Sequence, residues 1–387
     1  MKIVYFVNSL RGSGGVEAVT VSKANALARN LENDVWIIIS GDDSLDSWFP
    51  VSDRVCLLGN KSINNFRFPG NIIGFIPQWV YLRKRLRVFL KQIDPDIVIT
   101  TNGFERWTIP FIKGGWICIR EYHFPSKYSL LSASSLGERI VAHISIYFDT
   151  WINNRYYDKI VVLTEENKKC FWRNNDKVCV IPNPIRFSNS SLSVLKNKRI
   201  VAIGRLVYEK HFSSLIRAFA LVVKRFPEWR LDIFGEGDEK VFLSGLISRL
   251  SLEDFVHLRG KTHNVHKELL ESSIFALSSR YEGLAMVLLE AMSCGLPVVS
   301  YDCPNGPREI ITDGVDGFLV PEGNETLLAE GICRLIEDEE MRKRMGAAAY
   351  ERSLDFTMDK IMRKWVALFK DLLKQKREQN CSAKNYF

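Results

Sequence analysis

Short apolar runs alternate with stretches of helical periodicity along almost the whole chain, and they do so in two separate series. The first run, Lys2–Asn8 (KIVYFVN), is too short for a spanning helix and ends in Asn and Gly-rich sequence, so it reads as a buried strand. Repeated strand-then-helix units of this kind require a parallel sheet with helices packed on it. The first series continues through Val35–Ser40, Asp96–Thr100, Trp116–Arg120 and Lys159–Thr164, with helical patterns at Val16–Asn30 and Gln78–Ile93, and closes at Val180–Pro184 (VIPNP). The second runs through Arg199–Ile203, Arg230–Phe234, Val256–Leu258, Ile274–Leu277, Pro297–Ser300 and Phe318–Val320. The expected fold class is α/β, two Rossmann-like doubly wound parallel-sheet domains facing a central cleft. Their expected bounds are residues 1–187, a Ser/Asn-rich linker at 188–198, and residues 199–357. Residues 358–387 should form a helix and basic tail that packs back on the first domain. A length of 387 residues with 46% hydrophobic composition supplies two cores. Ligands in such sheets bind at the carboxyl ends of the strands.

The net charge of +8 serves either anionic ligands or solubility. Eight cysteines occur without a C-x-x-C pair, several inside apolar runs such as Ile117-Cys118-Ile119, which points to a reduced cytoplasm and away from a zinc site or disulfide framework. No stretch has the roughly 20 apolar residues of a spanning helix. The helix Gln78–Ile93 carries Arg83, Lys84, Arg85, Arg87 and Lys91 on one side and Trp79, Val80, Leu82, Leu86, Phe89 and Leu90 on the other. It is either a surface helix packed on the sheet or a contact with anionic lipid.

Two motifs carry chemistry. Glu282 and Glu290 stand eight apart, with an apolar, helix-favouring run between them and a glycine-containing loop in front. A helix starting near Gly283 would point its free N–H groups toward Glu282 and form an anion site, with Glu290 about two turns along. The same pattern fits a buried helix with two solvent-facing carboxylates, and only its setting between SSRYEG and CGLPVVS favours a site. The second motif, Gly204-Arg205-Leu206-Val207-Tyr208-Glu209-Lys210, leaves the tip of the strand RIVAI with a forked donor and a point charge, a pair suited to a pyrophosphate. A surface pair of Glu209 with Lys210 is the plainer alternative. The turn Gly14-Gly15-Val16-Glu17 lacks both the G-x-G-x-x-G spacing and the acid after the second strand, so a nicotinamide fingerprint is not supported.

Together these motifs resemble the retaining GT-B glycosyltransferases of family four, of the bacterial surface-polysaccharide type. The likeness extends to GGVE, IREYHFP, VLT, VIPNPI, DIFGEGDE, DCPNGPREII and DGVDGFLVP, densely in the C-terminal half and only at landmarks in the N-terminal half. The resemblance implies that Arg205 and Lys210 bind donor diphosphate, that Glu282 contacts the donor sugar and that Glu290 binds nucleotide ribose. It also brings the backbone at Gly283, Leu284 and Ala285 to the phosphates or sugar, and Gly15 to the acceptor and donor phosphate. His123 would lie near the transferred sugar, although an ordinary loop histidine fits equally; Glu121 is expected to point the opposite way. His263 and Asn264, in a loop that approaches the base, are weaker candidates, and the His263/His266 spacing lacks a third metal ligand. The family often has glycine after the loop lysine, where this chain has His211.

The implied reaction moves a sugar from a nucleotide diphosphate, a UDP-hexose or UDP-N-acetylhexosamine, to a hydroxyl of a lipid-linked or polysaccharide acceptor, without an essential metal or other cofactor. The expected catalytic set is Glu282, His123, Arg205 and Lys210. The expected setting is cytoplasmic and peripheral at an anionic membrane face, with no nucleic acid as partner. A sugar-nucleotide epimerase and a non-catalytic nucleotide-sugar-binding protein remain as alternatives.

Overall fold

The computed structural model describes residues 1–12, 14–41, 45–59, 72–112, 114–124, 130, 135–171, 175–186 and 191–384. The chain divides into two units, one of Met1–Pro184 with Met358–Phe387 and the other of Ile185–Thr357.

The first unit is built on seven strands: β1 (Lys2–Val7), β2 (Asp34–Ile39), β3 (Val55–Leu58), β4 (Ile97–Thr100), β5 (Ile117–Glu121), β6 (Lys159–Val162) and β7 (Val178–Val180). They form one parallel sheet in the order β3-β2-β1-β4-β5-β6-β7. Side chains alternate faces along a strand, and both faces of β1 are apolar. Ile3, Tyr5 and Val7 enter one core with Ile361, Trp365 and Phe369 of the helix Met358–Lys384. Val4 and Phe6 enter the other with Leu82, Leu86 and Leu90 of the helix Ile72–Ile93. The leucines of that basic helix are therefore spent on the sheet, whereas Val80, placed on the same side from sequence, is exposed, and the outer side carries Arg83, Lys84, Arg85, Arg87 and Lys91. Strand β3, absent from the sequence reading, is a short edge strand whose residues after Val55 are exposed or half-buried, so it lacks the continuous apolar run of its neighbours.

The second unit has six strands: β8 (Arg199–Ile203), β9 (Arg230–Phe234), β10 (Val256–Gly260), β11 (Ile274–Leu277), β12 (Val298–Tyr301) and β13 (Gly317–Val320). They are parallel, in the order β10-β9-β8-β11-β12-β13. Residues 188–190 of the expected linker lie outside the described residues. Its described part is no free linker: Leu195 is buried, the Ser193 N–H donates to the Cys294 carbonyl at 2.8 Å, and the Asn197 amide donates to the Glu271 carbonyl at 2.8 Å. The two leucines in this polar stretch gave no periodic signal.

Strand order reverses once in each sheet, between β1 and β4 and between β8 and β11. At such a switch point successive loops leave in opposite directions and open a crevice at the strand tips.

Candidate functional site

In the second unit the two sharpest sequence motifs leave the two strands that flank its switch point. Arg205 follows β8, and Glu282 follows β11. Three bonds tie their loops together: the Ser278 hydroxyl donates to the Lys210 carbonyl at 2.9 Å, the Arg280 N–H to the Glu209 carbonyl at 2.8 Å, and the Lys210 ammonium to Glu282 Oε1 at 2.6 Å. Ser279 Oγ donates to the same Oε1 at 2.6 Å. Glu282 is 9% exposed and its N–H is bonded to the Pro304 carbonyl, so the carboxylate is fixed from both ends. Lys210 thus pairs with Glu282 in place of the Glu209 partner considered from sequence. Arg205 is exposed, on a loop backed by Gly235-Glu236-Gly237. A side chain at Gly235 (φ +148°) would run into the Gly204 carbonyl, and one at Gly237 into that of Leu206, which explains the glycines of GEGDE. His211 takes a left-handed conformation (φ 50°, ψ 38°), the region that favours glycine. Burial, with Arg280 and Arg217 nearby, pushes its imidazole down to about 4.

The helix of the E-x7-E motif starts later than the sequence suggests. It spans Met286–Ser293 with Ala285 as its N-cap, and its first bonds run from the Leu288 and Leu289 N–H groups to the Ala285 carbonyl. Before it, the chain from Glu282 is held against the Pro304–Gly306 loop, where a side chain at Gly306 would press on Glu282. Gly283, Leu284 and Ala285 therefore precede the helix, and Leu284 and Ala285 are buried. Glu290 is little more than one turn into the helix, 3% exposed, with Oε1 2.5 Å from Arg186 Nε. It is not a solvent-facing carboxylate. Neither Arg186 nor Ser279 was singled out in the sequence, although Arg186 directly follows the quoted VIPNPI and Ser279 lies within the quoted SSRYEG. Asn264 caps the helix Val265–Leu270, its side-chain oxygen accepting from the Lys267 N–H at 3.0 Å, and the neighbouring His263 is exposed. Among the described residues no group of three or more His, Cys, Asp or Glu is arranged to hold a metal.

Gly15 and His123 belong to the first unit. Gly15 opens the helix Gly15–Ala28, directly beyond β1, with Glu17 in its first turn. His123 lies just past β5, 5% exposed, with Nε2 3.5 Å from Glu121 Oε1. The expectation that Glu121 points away is overturned, because residues two apart on extended chain share a side. Glu121 is bonded to Lys23, a fully buried lysine whose ammonium also sits 4.5 Å from the Trp365 ring. Burial opposes ionisation of Glu121, but Lys23, His123 and Arg120 outweigh it and hold the carboxyl below its usual range. Burial dominates at His123 and pushes its imidazole down to about 4. Lys23 sits mid-helix in VTVSKAN, where nothing in the spacing marks it.

Residues 185–352 match the model of the glycosyl transferases group 1 family. An uncharacterized glycosyltransferase of Methanocaldococcus jannaschii is 34% identical, over 82% of this chain and 87% of that protein. The chain belongs to the group 1 glycosyltransferases. This enzyme is also similar to the amylovoran biosynthesis glycosyltransferase AmsD of Erwinia amylovora, 34% identical over 54% of the chain and 61% of AmsD. Among solved structures, Staphylococcus aureus TarM, in complex with fondaparinux, alpha-GlcNAc-glycerol and UDP, matches the enzyme with a TM-score of 0.76 and 18% identity over 95% of this chain and 99% of TarM. That likeness shows the fold, two parallel-sheet α/β units of GT-B type. Family membership sets aside the epimerase alternative.

Proposed function

We propose that this glycosyltransferase transfers a hexosyl or N-acetylhexosaminyl group from a UDP-sugar, with retention of anomeric configuration, to a hydroxyl of a lipid-linked or polysaccharide acceptor in surface glycan assembly. The observation that carries the reading is the convergence of Lys210 and Ser279 on Glu282 beside Arg205, at the switch point of the second sheet. Arg205 and Lys210 take the donor diphosphate, Glu282 the donor sugar, and Glu290, held by Arg186, the ribose. The base lies toward His263 and Asn264. The N–H groups ahead of Met286, at Gly283, Leu284 and Ala285, and the N-terminus at Gly15 are further phosphate donors. UDP in the TarM complex and the amylovoran pathway of AmsD support the donor and the setting.

In the reaction the bond from the anomeric carbon to the phosphate oxygen breaks as the acceptor oxygen attacks from the same face, and the departing phosphate takes the acceptor proton. Negative charge grows on the phosphate, where Arg205 and Lys210 stabilise it without solvent reorganisation. These cations take the place of a divalent ion, so activity should persist after treatment with a chelator; restoration of a lost rate by added magnesium would contradict this. His123, kept neutral, is a hydrogen-bonding group for the transferred sugar in the first unit.

The test is transfer from radiolabelled UDP-sugars by wild type and Glu282→Ala. Loss of transfer at unchanged melting temperature, with an α-linked wild-type product from an α-linked donor, supports the reading. Full activity of Glu282→Ala removes the site, and an inverted product removes retention.

A further inference from the structure

Helix Leu136–Tyr156 shows the reverse of an ordinary surface helix. Its start is fixed by a capping box in which Ser135 and Glu138 satisfy each other's backbone N–H groups. Ala142, Ile152 and Asn153 are its buried side. On the outer side Leu136, Ile140, Ile144, Tyr147, Phe148 and Trp151 are 46 to 77% exposed. At 100° per residue they fall in one continuous stripe roughly 22 Å long. The helix has two acids: Glu138 is in the capping box, and Asp149 is turned inward to the Trp107 indole at 2.9 Å and Arg106 at 3.4 Å.

The basic helix Ile72–Ile93 flanks the same 3-10 turn, Ile109–Phe111. Arg83 donates to the Phe111 carbonyl at 2.8 Å, and the Phe111 ring lies 5.7 Å from Trp79 and 4.6 Å from Tyr156. That helix contains no acid, and its Lys84, Arg85, Arg87 and Lys91 are exposed.

We infer that the outer side of helix Leu136–Tyr156, with the cationic side of its neighbour, is the docking surface of the first unit for an anionic lipid bilayer. The apolar stripe enters the boundary between headgroups and acyl chains, the aromatic rings sit at headgroup level, and the arginines and lysines meet lipid phosphate. Charge selects this occupant. A second copy would bring the same acid-free cationic flank against itself, whereas an anionic bilayer matches both stripe and flank. The surface names the partner of the proposed transfer to a lipid-linked acceptor and takes its biological sense from that reading, while its geometry stands apart from it.

The test is flotation of the full chain with phosphatidylglycerol-rich vesicles, without donor or acceptor, at low and high salt. Wild type should float, with about tenfold weaker partition on phosphatidylcholine vesicles or at high salt. Ile144→Glu combined with Tyr147→Ser should lower partition by more than about tenfold, and Lys84→Ala or Arg87→Ala by roughly fivefold each. Melting temperature and transfer to a water-soluble acceptor should stay unchanged. Absence of flotation at low salt, or equal flotation of the double variant, overturns the inference. So does a concentration-dependent dimer that the double variant abolishes, which would assign the stripe to a second copy. Vesicle binding without transfer to any lipid-linked acceptor leaves the surface standing and removes the acceptor reading.

Discussion

At the residue scale, the bond from Lys210 to Glu282 makes the two charges one unit. Each neutralises the other in a half-buried setting, and Ser279 completes the carboxylate's partners. Removing either partner leaves the other poorly satisfied, so the two losses overlap. Lys210→Ala and Glu282→Ala should each cost about 2–4 kcal/mol in kcat/KM, and the double variant about 1–3 kcal/mol less than their sum. Strict additivity in steady-state kinetics would uncouple them. His123 makes a second prediction. Its folded imidazole binds a proton only near pH 4, whereas an unfolded histidine does so below about 6.5. Between those values the unfolded chain holds the extra proton, so stability is full above pH 6.5 and falls as the pH drops toward 4. Thermal scans at pH 7 and pH 5 should differ by several degrees, and His123→Asn should shrink the difference. His211, lowered in the same way, preserves the remainder.

At the scale of elements, most strands were legible because a strand covered on both faces must be apolar throughout, and that run is visible without knowledge of its neighbours. β8, β9 and β11 fall where the sequence puts them. The start of the Met286–Ser293 helix was not legible, because it is set by the bond from Glu282 to Pro304, a contact with a distant loop. Arg186 and Lys23 were hidden for a related reason: each matters through a carboxylate about a hundred positions away in sequence. The loop Gly235-Glu236-Gly237 gives an element-level prediction. Gly237→Val drives a side chain into the Leu206 carbonyl and displaces the Arg205 loop. Chemical denaturation should show a loss of about 1–3 kcal/mol together with weakened donor affinity. Trp365→Ala, deep in the core beneath β1, should cost about 3–5 kcal/mol and loosen the packing over Lys23. A change under about 1 kcal/mol would mean the C-terminal helix is not part of that core.

At the scale of the molecule, one strand order occurs twice, and the second unit sets its glycine-containing loops and chemistry-bearing residues at the tips of its switch-point strands, whereas the first sets Gly15 beyond β1 and His123 beyond β5. The central claim is that the second unit holds the donor through Arg205, Lys210 and Glu282. The most direct measurement is the melting temperature of wild type, Arg205→Ala and Lys210→Ala against a panel of nucleoside diphosphates and nucleotide sugars. One nucleoside diphosphate, UDP on this account, should stabilise wild type by about 2.7 kcal/mol at a hundredfold excess over its Kd, and far less in either variant. No shift with any nucleotide, or an equal shift in all three proteins, would contradict the account.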